Sequence, residues 1–562
     1  MHSSFRNILL LATAAVIHAP AFAQVERNLP PGVETRASDP IAPDAAPASE
    51  DATPFGFNLA RIVVLGPADT VVAEPTVAVD VSRVARLNTT EGQALLAPYI
   101  GKPMSRLLIA QIEADIARFY RAKGYPFVSL STPEQEVTTG TLNVRVVEFT
   151  AGAIDSQSGR TSADYIVRSL RQKTGEPIDA TALEQDLDWL NRNPFRRVEA
   201  VFAPGAQTGA SNLSLLLNES KPWRVYAGAA NSGSSSERER LFAGFQVAPL
   251  SILPDATLSY QFTGSTDIFD TSRPNYVSHA GILNLVMAPR NALEATFNHV
   301  RIRQDVYPFS VDQKIVEGVV GWRQAVDALG DMRVGVELRN SRRKLFFFGI
   351  PVDDVSADVR QFYIGLEKAT ASSNGRTNLS VTLHASPGGI GTDNSDGAFR
   401  YHTGGRVTDS TYAYVNAFYS QSSRLGSAYL NTEIIGQYAT GPLPDSEQMG
   451  LGGPSLIRGY GLEDGGYDSG VVVRHTLFGQ GILLGKAKSI ATTVQPYLFA
   501  DSGYGKTRRV DEEEVLAAIG GGFNLQVDRL FNATLEGAYA LADGPYTQAE
   551  DWRLNFSVTF SY

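Results

Sequence analysis

From Trp223 to Tyr562 the chain runs for 340 residues without a convincing helical period. Short alternating segments rich in glycine and aromatic side chains take its place, the texture of strands. The final segment is the clearest: Leu554, Phe556, Val558, Phe560 and Tyr562 share one face, and Asn555, Ser557, Thr559 and Ser561 the other. In a soluble sandwich the apolar face turns inward, whereas in an outer-membrane barrel it meets lipid and the small polar face lines a wet lumen. Alternation alone fits both. Length separates them, because a single sandwich uses only about 100 residues. At about 21 residues per strand and connection the segment makes about sixteen strands, within the range of bacterial barrels. The chain also closes on an aromatic residue, and Ser386–Asp396 and Pro442–Gly453 read as long polar barrel loops. An all-β transmembrane barrel of about 16 antiparallel strands is therefore expected over 223–562.

The rest of the chain supports export. Hydrophobic content is 43 %, yet beyond residue 23 no run approaches the roughly 20 apolar residues of a membrane helix. Arg6, the apolar run Ile8–Ile17 and Ala21-Phe22-Ala23 read as a cleavable signal over 1–23. Residues 24–54 carry six prolines and few large apolar side chains, the composition of a flexible linker. There is no cysteine, which removes disulfides and thiolate metal sites. With 49 Lys+Arg against 59 Asp+Glu, the balance also argues against a dedicated nucleic-acid binder.

Between linker and barrel two small α+β modules are expected, at 55–150 and 151–222. In the first, Phe57, Leu59 and Ile62–Leu65 read as a buried strand, and Leu108, Ile112, Ile116 and Phe119 as a helical stripe stopped by Gly124. Strands follow at Phe127–Ser131 and Thr141–Phe149. The second repeats the order: Thr161 with Asp164 resembles a capping box, Leu183, Leu187 and Leu190 line a helix, and Arg197–Phe202 and Asn212–Asn218 read as strands.

Two motifs in the barrel segment now matter. Ile457-Arg458-Gly459-Tyr460 lies in the glycine-rich stretch 452–461, and Phe499-Ala500-Asp501-Ser502-Gly503 follows. Together with a signal, tandem modules and Phe119-Tyr120-Arg121-Ala122-Lys123-Gly124-Tyr125-Pro126 in the first module, they resemble the TpsB outer-membrane transporters of two-partner secretion, whose motifs are approximately V-R-G-Y/F and F-x-D-x-G. Here Ile457 stands for valine. The resemblance implies POTRA-type periplasmic modules and a loop around 442–470 folded back into the barrel. It implies that Arg458 meets Asp501 there, with Gly459, Tyr460, Phe499 and Gly503 completing a loop-to-barrel lock. It further implies a non-enzymatic transporter, without cofactor or metal, that captures an unfolded exported partner, a large TpsA-like exoprotein, passes it to the cell surface and activates it. Outer-membrane lipid surrounds such a barrel, and the barrel-assembly machinery inserts it, reading a terminal signal that Phe560 and Tyr562 resemble. An assembly factor of the same superfamily and a passive porin are the alternatives; the first usually carries more POTRA modules and the second needs none.

The chemistry of the implied pair is sound. Arginine offers five donors in a rigid fork that can bridge a carboxylate bidentately, and neighbouring glycines let the backbone turn sharply against a wall. Relatives often plug the pore with an N-terminal helix, but 24–54 shows no good amphipathic stripe, so gating is expected to rest on the loop. Gly503-Tyr504-Gly505-Lys506-Thr507 lacks the first glycine of a phosphate-binding loop, Ala500 standing there, and sits in strand texture. No Gly-x-Ser-x-Gly elbow is present. His279, His299, His384, His402 and His475 are expected in lumen or loops, and Asp353-Asp354 and Asp511–Glu514 in solvated loops.

Overall fold

The computed structural model describes residues 28–30, 49–207, 209–234, 237–248, 255–306, 309–372, 374–487, 490–508 and 512–562. The expected signal and most of the expected linker lie outside them, as does Asp511. Two compact units emerge among the described residues, one of 49–191 with 196–219, the other of Ser220–Tyr562 with 28–30 and 192–195.

The second unit is a closed barrel of sixteen antiparallel strands among the described residues, running from Trp223–Ala230 to Trp552–Ser561. One strand position is split: Ser469–Phe478 and Ile482–Ala487 both pair with Ile490–Thr507, in nearly continuous register. The last strand closes on the first, Ser557 opposite Ala230 and Ser561 opposite Tyr226, which leaves no open edge. Alternation sorts the side chains as a barrel requires. On the last strand Trp552, Leu554 and Phe560 are exposed outward, while Arg553 and Asn555 are buried inside.

Connections at one rim are short, at 289–290, 327–329 and 426–427, while the other rim carries 388–410, 440–468 and 541–551. Some strands overrun the bilayer. Ile350–Ser372 has 23 residues, against the about 9–11 needed to cross. That overrun corrects one expectation: Asp353 and Asp354 belong to this strand, and Glu512–Glu514 to the strand Glu512–Val527. The barrel segment also holds a helix, Asp396–His402, capped by Ser395 and too short to show a period.

The first unit contains two sheets. Strands Arg61–Leu65 and Thr141–Glu148 pair in parallel at the centre of one, flanked by Val79–Asp80 and Val128–Ser131. Helix Arg106–Ala122 starts at the Ser105 cap and buries Leu108, Ile112, Ile116 and Phe119 against them. It ends before Gly124, whose φ of +89° suits glycine. The expected strand through Phe57 and Leu59 begins later, at Arg61; the earlier backbone instead bonds to Lys102 and Met104. The other sheet orders Thr150–Ser156, Ala210–Glu219 and Arg196–Pro204, covered by helix Ala180–Leu190 with Leu183, Leu187 and Leu190 buried. Helix Ala163–Arg168 is capped by Ser162, not Thr161, whose hydroxyl is committed to Glu219 at 2.7 Å.

The Phe119–Pro126 run has a structural role in this unit. Tyr120 is fully buried and donates to Glu148 at 2.8 Å, and Glu148 also takes Arg86 at 3.0 Å. Burial, then the Glu148 bond, pushes the Tyr120 hydroxyl well above the usual phenol range. The Arg86 guanidinium lies 3.4 Å from the centre of the Tyr125 ring, and the Gly124 carbonyl accepts from the Ala180 N–H at 2.9 Å.

Candidate functional site

The connection 440–468 turns inward and becomes the core of the barrel. Met449, Leu451, Leu456, Ile457, Tyr460 and Tyr467 from this loop are buried with Val472, Leu516, Ala518 and Ala540 of the wall. A fully buried apolar side chain contributes roughly 1.5–3 kcal/mol before the loop's ordering entropy is set against it. Apolar packing therefore holds the loop in, and its charges decide where.

Arg458 is 5 % exposed and Asp501 3 %. Nε and Nη2 of Arg458 donate to Oδ2 and Oδ1 of Asp501, each at 2.7 Å, and the Arg458 backbone N–H adds a third bond at 3.1 Å. Nη2 also reaches the Thr476 hydroxyl at 2.9 Å, and Glu536 lies 3.8 Å from Nη1. The guanidinium sits 3.7 Å from the centre of the Phe499 ring. A lysine has neither the fork nor the flat face this seat uses.

The surrounding motif residues fit by shape. A Cβ on Gly503 would come within 2.7 Å of Ile457 Cδ1, so the glycine leaves the space that Ile457 fills. At Gly459 a Cβ would meet that of Ala518 at 3.0 Å. Tyr460 is fully buried, with its hydroxyl 2.9 Å from the Ala517 carbonyl and 2.8 Å from that of Ala542. All six expected lock residues thus come together in the lumen.

A second anchor was not visible in the sequence. Glu447, fully buried in a short turn of the same loop, pairs with Arg339, accepts from the Tyr414 hydroxyl at 2.7 Å and from Gln361 at 3.1 Å. Arg339 also donates to Glu317 at 2.7 Å. Ser446-Glu447-Gln448 looks like any polar loop, and its partners come from three separate strands. Two further loop carboxylates are fully buried. Asp464 accepts from Gly461, Tyr546 and Thr547 N–H groups at 2.7–2.9 Å, and Asp468 from those of Leu443 and Arg508 at 2.8 and 2.9 Å.

Tyr562 and Phe560 lie far along the chain from this cluster, at the barrel's closure. Tyr562 exchanges two backbone bonds with Val225 and packs on Trp223 at 5.7 Å, while Phe560 packs on Phe531 at 4.8 Å. Both remain exposed on the outward face. The histidines divide differently from expectation. His384 stacks on Tyr414 inside and His402 ends the loop helix, but His279, His299 and His475 share the outward face of their strands, since alternate neighbours such as Ser278, Asn298 and Thr476 are the buried ones. Of the expected linker, Asn28 donates to the Tyr276 hydroxyl of a barrel strand at 2.8 Å.

A closed barrel filled by its own clamped loop, on a chain that carries POTRA folds, defines a class of outer-membrane protein. Residues 325–525 match the family described as haemolysin secretion/activation protein ShlB/FhaC/HecB, and residues 75–148 match the ShlB-type POTRA domain. The chain is 24 % identical over 420 residues to the hemolysin transporter protein ShlB of Serratia marcescens, covering 70 % of this chain and 69 % of that protein. It is 23 % identical to the outer membrane transporter CdiB of Dickeya dadantii, covering 66 % of each. Among solved structures, CdiB from Escherichia coli superposes with a TM-score of 0.68 at 17 % identity, covering 94 % of both chains, a likeness of fold. The chain resembles the TpsB-type outer-membrane transporters, and its barrel lies in the outer membrane with POTRA domains in the periplasm. That family consists of transporters, not enzymes.

Proposed function

We propose that this protein binds an unfolded exported partner through its POTRA domains and passes it through the barrel to the cell surface, as the transporter of a two-partner pair. The observation that carries the reading is the buried Arg458–Asp501 clamp on a loop that fills the lumen. A permanent plug needs only packing, whereas a reversible one benefits from a few strong, geometrically defined contacts that can be exchanged. On the periplasmic side, Arg196–Pro204 is an edge strand with Val201 exposed, where an extended segment could add as a further strand. The proposed lock comprises Arg458, Gly459, Tyr460, Phe499, Asp501 and Gly503, and Phe560 with Tyr562 is the proposed assembly signal. Deleting the gene and comparing secreted with outer-membrane proteins tests the reading. Loss of one large exoprotein supports it; broad loss of outer-membrane proteins indicates an assembly factor, and no loss indicates a passive pore.

A further inference from the structure

The outward face of the barrel carries a row of three cations side by side. Arg301 faces Lys314 across one strand pair, and Lys314 faces Arg342 across the next. All three are exposed on the face that also presents Phe297 and Leu338. Like charges directly opposite one another repel, so such a row is costly unless something anionic neutralises it. Arg342 has Asp354, in a bidentate pair at 2.7 and 2.6 Å. Arg301 and Lys314 have no carboxylate within ion-pair distance among the described residues.

Four residues along the same three strands, about 13 Å toward the short-turn rim, lie Phe297, Gly318 and Leu338, again cross-strand neighbours. There the outward surface is concave. A groove of about 500 Å³ is lined mainly by Phe297, Val316, Leu338, Phe362 and Ile390, the last contributed by the connection 388–410, and also by Asp358, which is paired with Arg360 at 2.8 Å and Asn340 at 2.7 Å. Gly318 forms its open floor: a Cβ built there meets nothing within 4 Å. A largely apolar groove whose Asp358 carboxylate is already paired, with cations beyond its extracellular end, matches one shape of ligand: an acyl chain below and a negatively charged headgroup above.

We propose that this groove and the Arg301–Lys314–Arg342 row form a docking site for a phosphate-bearing lipid of the outer leaflet, with one acyl chain against Gly318 and its phosphate on Arg301 and Lys314. The charge complementarity selects this occupant over a neutral or zwitterionic lipid, and attraction of juxtamembrane cations to anionic headgroups is of the right sign and range. The site lies on the barrel's exterior and does not depend on how the lumen works.

The test uses the purified full-length protein and native mass spectrometry after detergent exchange, with bisphosphorylated lipid A as probe and phosphatidylethanolamine as comparator. The wild-type protein is expected to retain lipid A, and the triple variant Arg301→Gln, Lys314→Gln, Arg342→Gln to lose at least about tenfold of that retention. Gly318→Trp, which fills the groove and leaves every charge in place, should lose retention as well, and it keeps the test decisive if the triple variant fails to show heat-modifiable migration on gels. Equal retention of the two lipids, unchanged lipid A retention in Gly318→Trp, or inorganic phosphate displacing lipid A at comparable concentration would each overturn the proposal.

Discussion

The two anchors of the inward loop use opposite charges. At one, the loop supplies the cation and the wall the anion, Arg458 on Asp501; at the other, the loop supplies the anion and the wall the cation, Glu447 on Arg339. Their wall strands, Ile490–Thr507 and Gly330–Phe347, are six positions apart in a ring of sixteen, so the loop is held from well-separated sides of the lumen. The surroundings differ too. Arg458 has a flat aromatic partner and grips Asp501 bidentately, with Glu536 3.8 Å from it and Arg474 4.0 Å from Asp501, whereas Arg339 divides its donors between Glu447 and Glu317. Sharing leaves Arg339 partly neutralised when Glu447 departs. On the proposed transport reading, the Glu447 anchor is the easier to release, because Arg458 adds the Phe499 ring and a backbone bond to its bidentate pair.

That asymmetry orders the expected effects. Arg458→Asp should be the most damaging, because it sets a carboxylate against Asp501 and near Glu536; breaking a buried pair costs about 3–5 kcal/mol, less where water enters. Secretion should fall by more than about tenfold while the barrel still shows heat-modifiable migration, and Arg458→Asp with Asp501→Arg should recover part of it. A double variant no better than either single one removes the pair from the account. Glu447→Lys should loosen the loop with a smaller loss of secretion, since Arg339 keeps Glu317, and should raise single-channel conductance in planar bilayers. If it equals Arg458→Asp, the two anchors are equivalent and the comparison fails.

Two finer substitutions sharpen the picture. Arg458→Lys retains charge but loses the fork and the ring contact, a cost of roughly 1–3 kcal/mol; amides of 452–461 should exchange about tenfold faster while secretion falls only a few-fold. Gly503→Val forces a Cβ into the space of Ile457 and should have the smallest effect, lowering the temperature at which heat-modifiable migration is lost by a few degrees. Adding Ile457→Ala should reverse part of that shift, and failure to do so would assign Gly503 to backbone needs alone.

The difference between the anchors is also a difference in legibility. Arg458 stands out because the four glycines and one proline of 452–461 surround it, and Asp501 because it sits in a recurrent short pattern on a strand. Glu447 has no such frame, and nothing in the chain marks Arg339, 108 residues earlier, as its partner. The same limit explains the smaller corrections. Asp353 and Asp354 look like loop residues because their charge suggests solvent, and they are solvated, yet on a strand that has outrun the membrane. His279 and His299 are expected in the lumen or in loops, but the register that places Tyr276, Ser278 and Ala280 inward turns His279 out. A one-residue choice of face is invisible without the register.

What the sequence determined by itself is periodic or local. Alternation over a long stretch and the length per strand specify a barrel of about sixteen strands, since every backbone group in a bilayer must find a partner within a closed sheet. Helical stripes such as Leu108–Phe119 and caps within a few residues specify the POTRA elements, because those energies act between chain neighbours. Only the tertiary structure decided which wall residues receive the loop, which face each histidine takes, and that three cations on separate strands stand in one outward row. Those contacts join residues that ring closure and strand register bring together, and such closeness leaves no trace in sequence spacing.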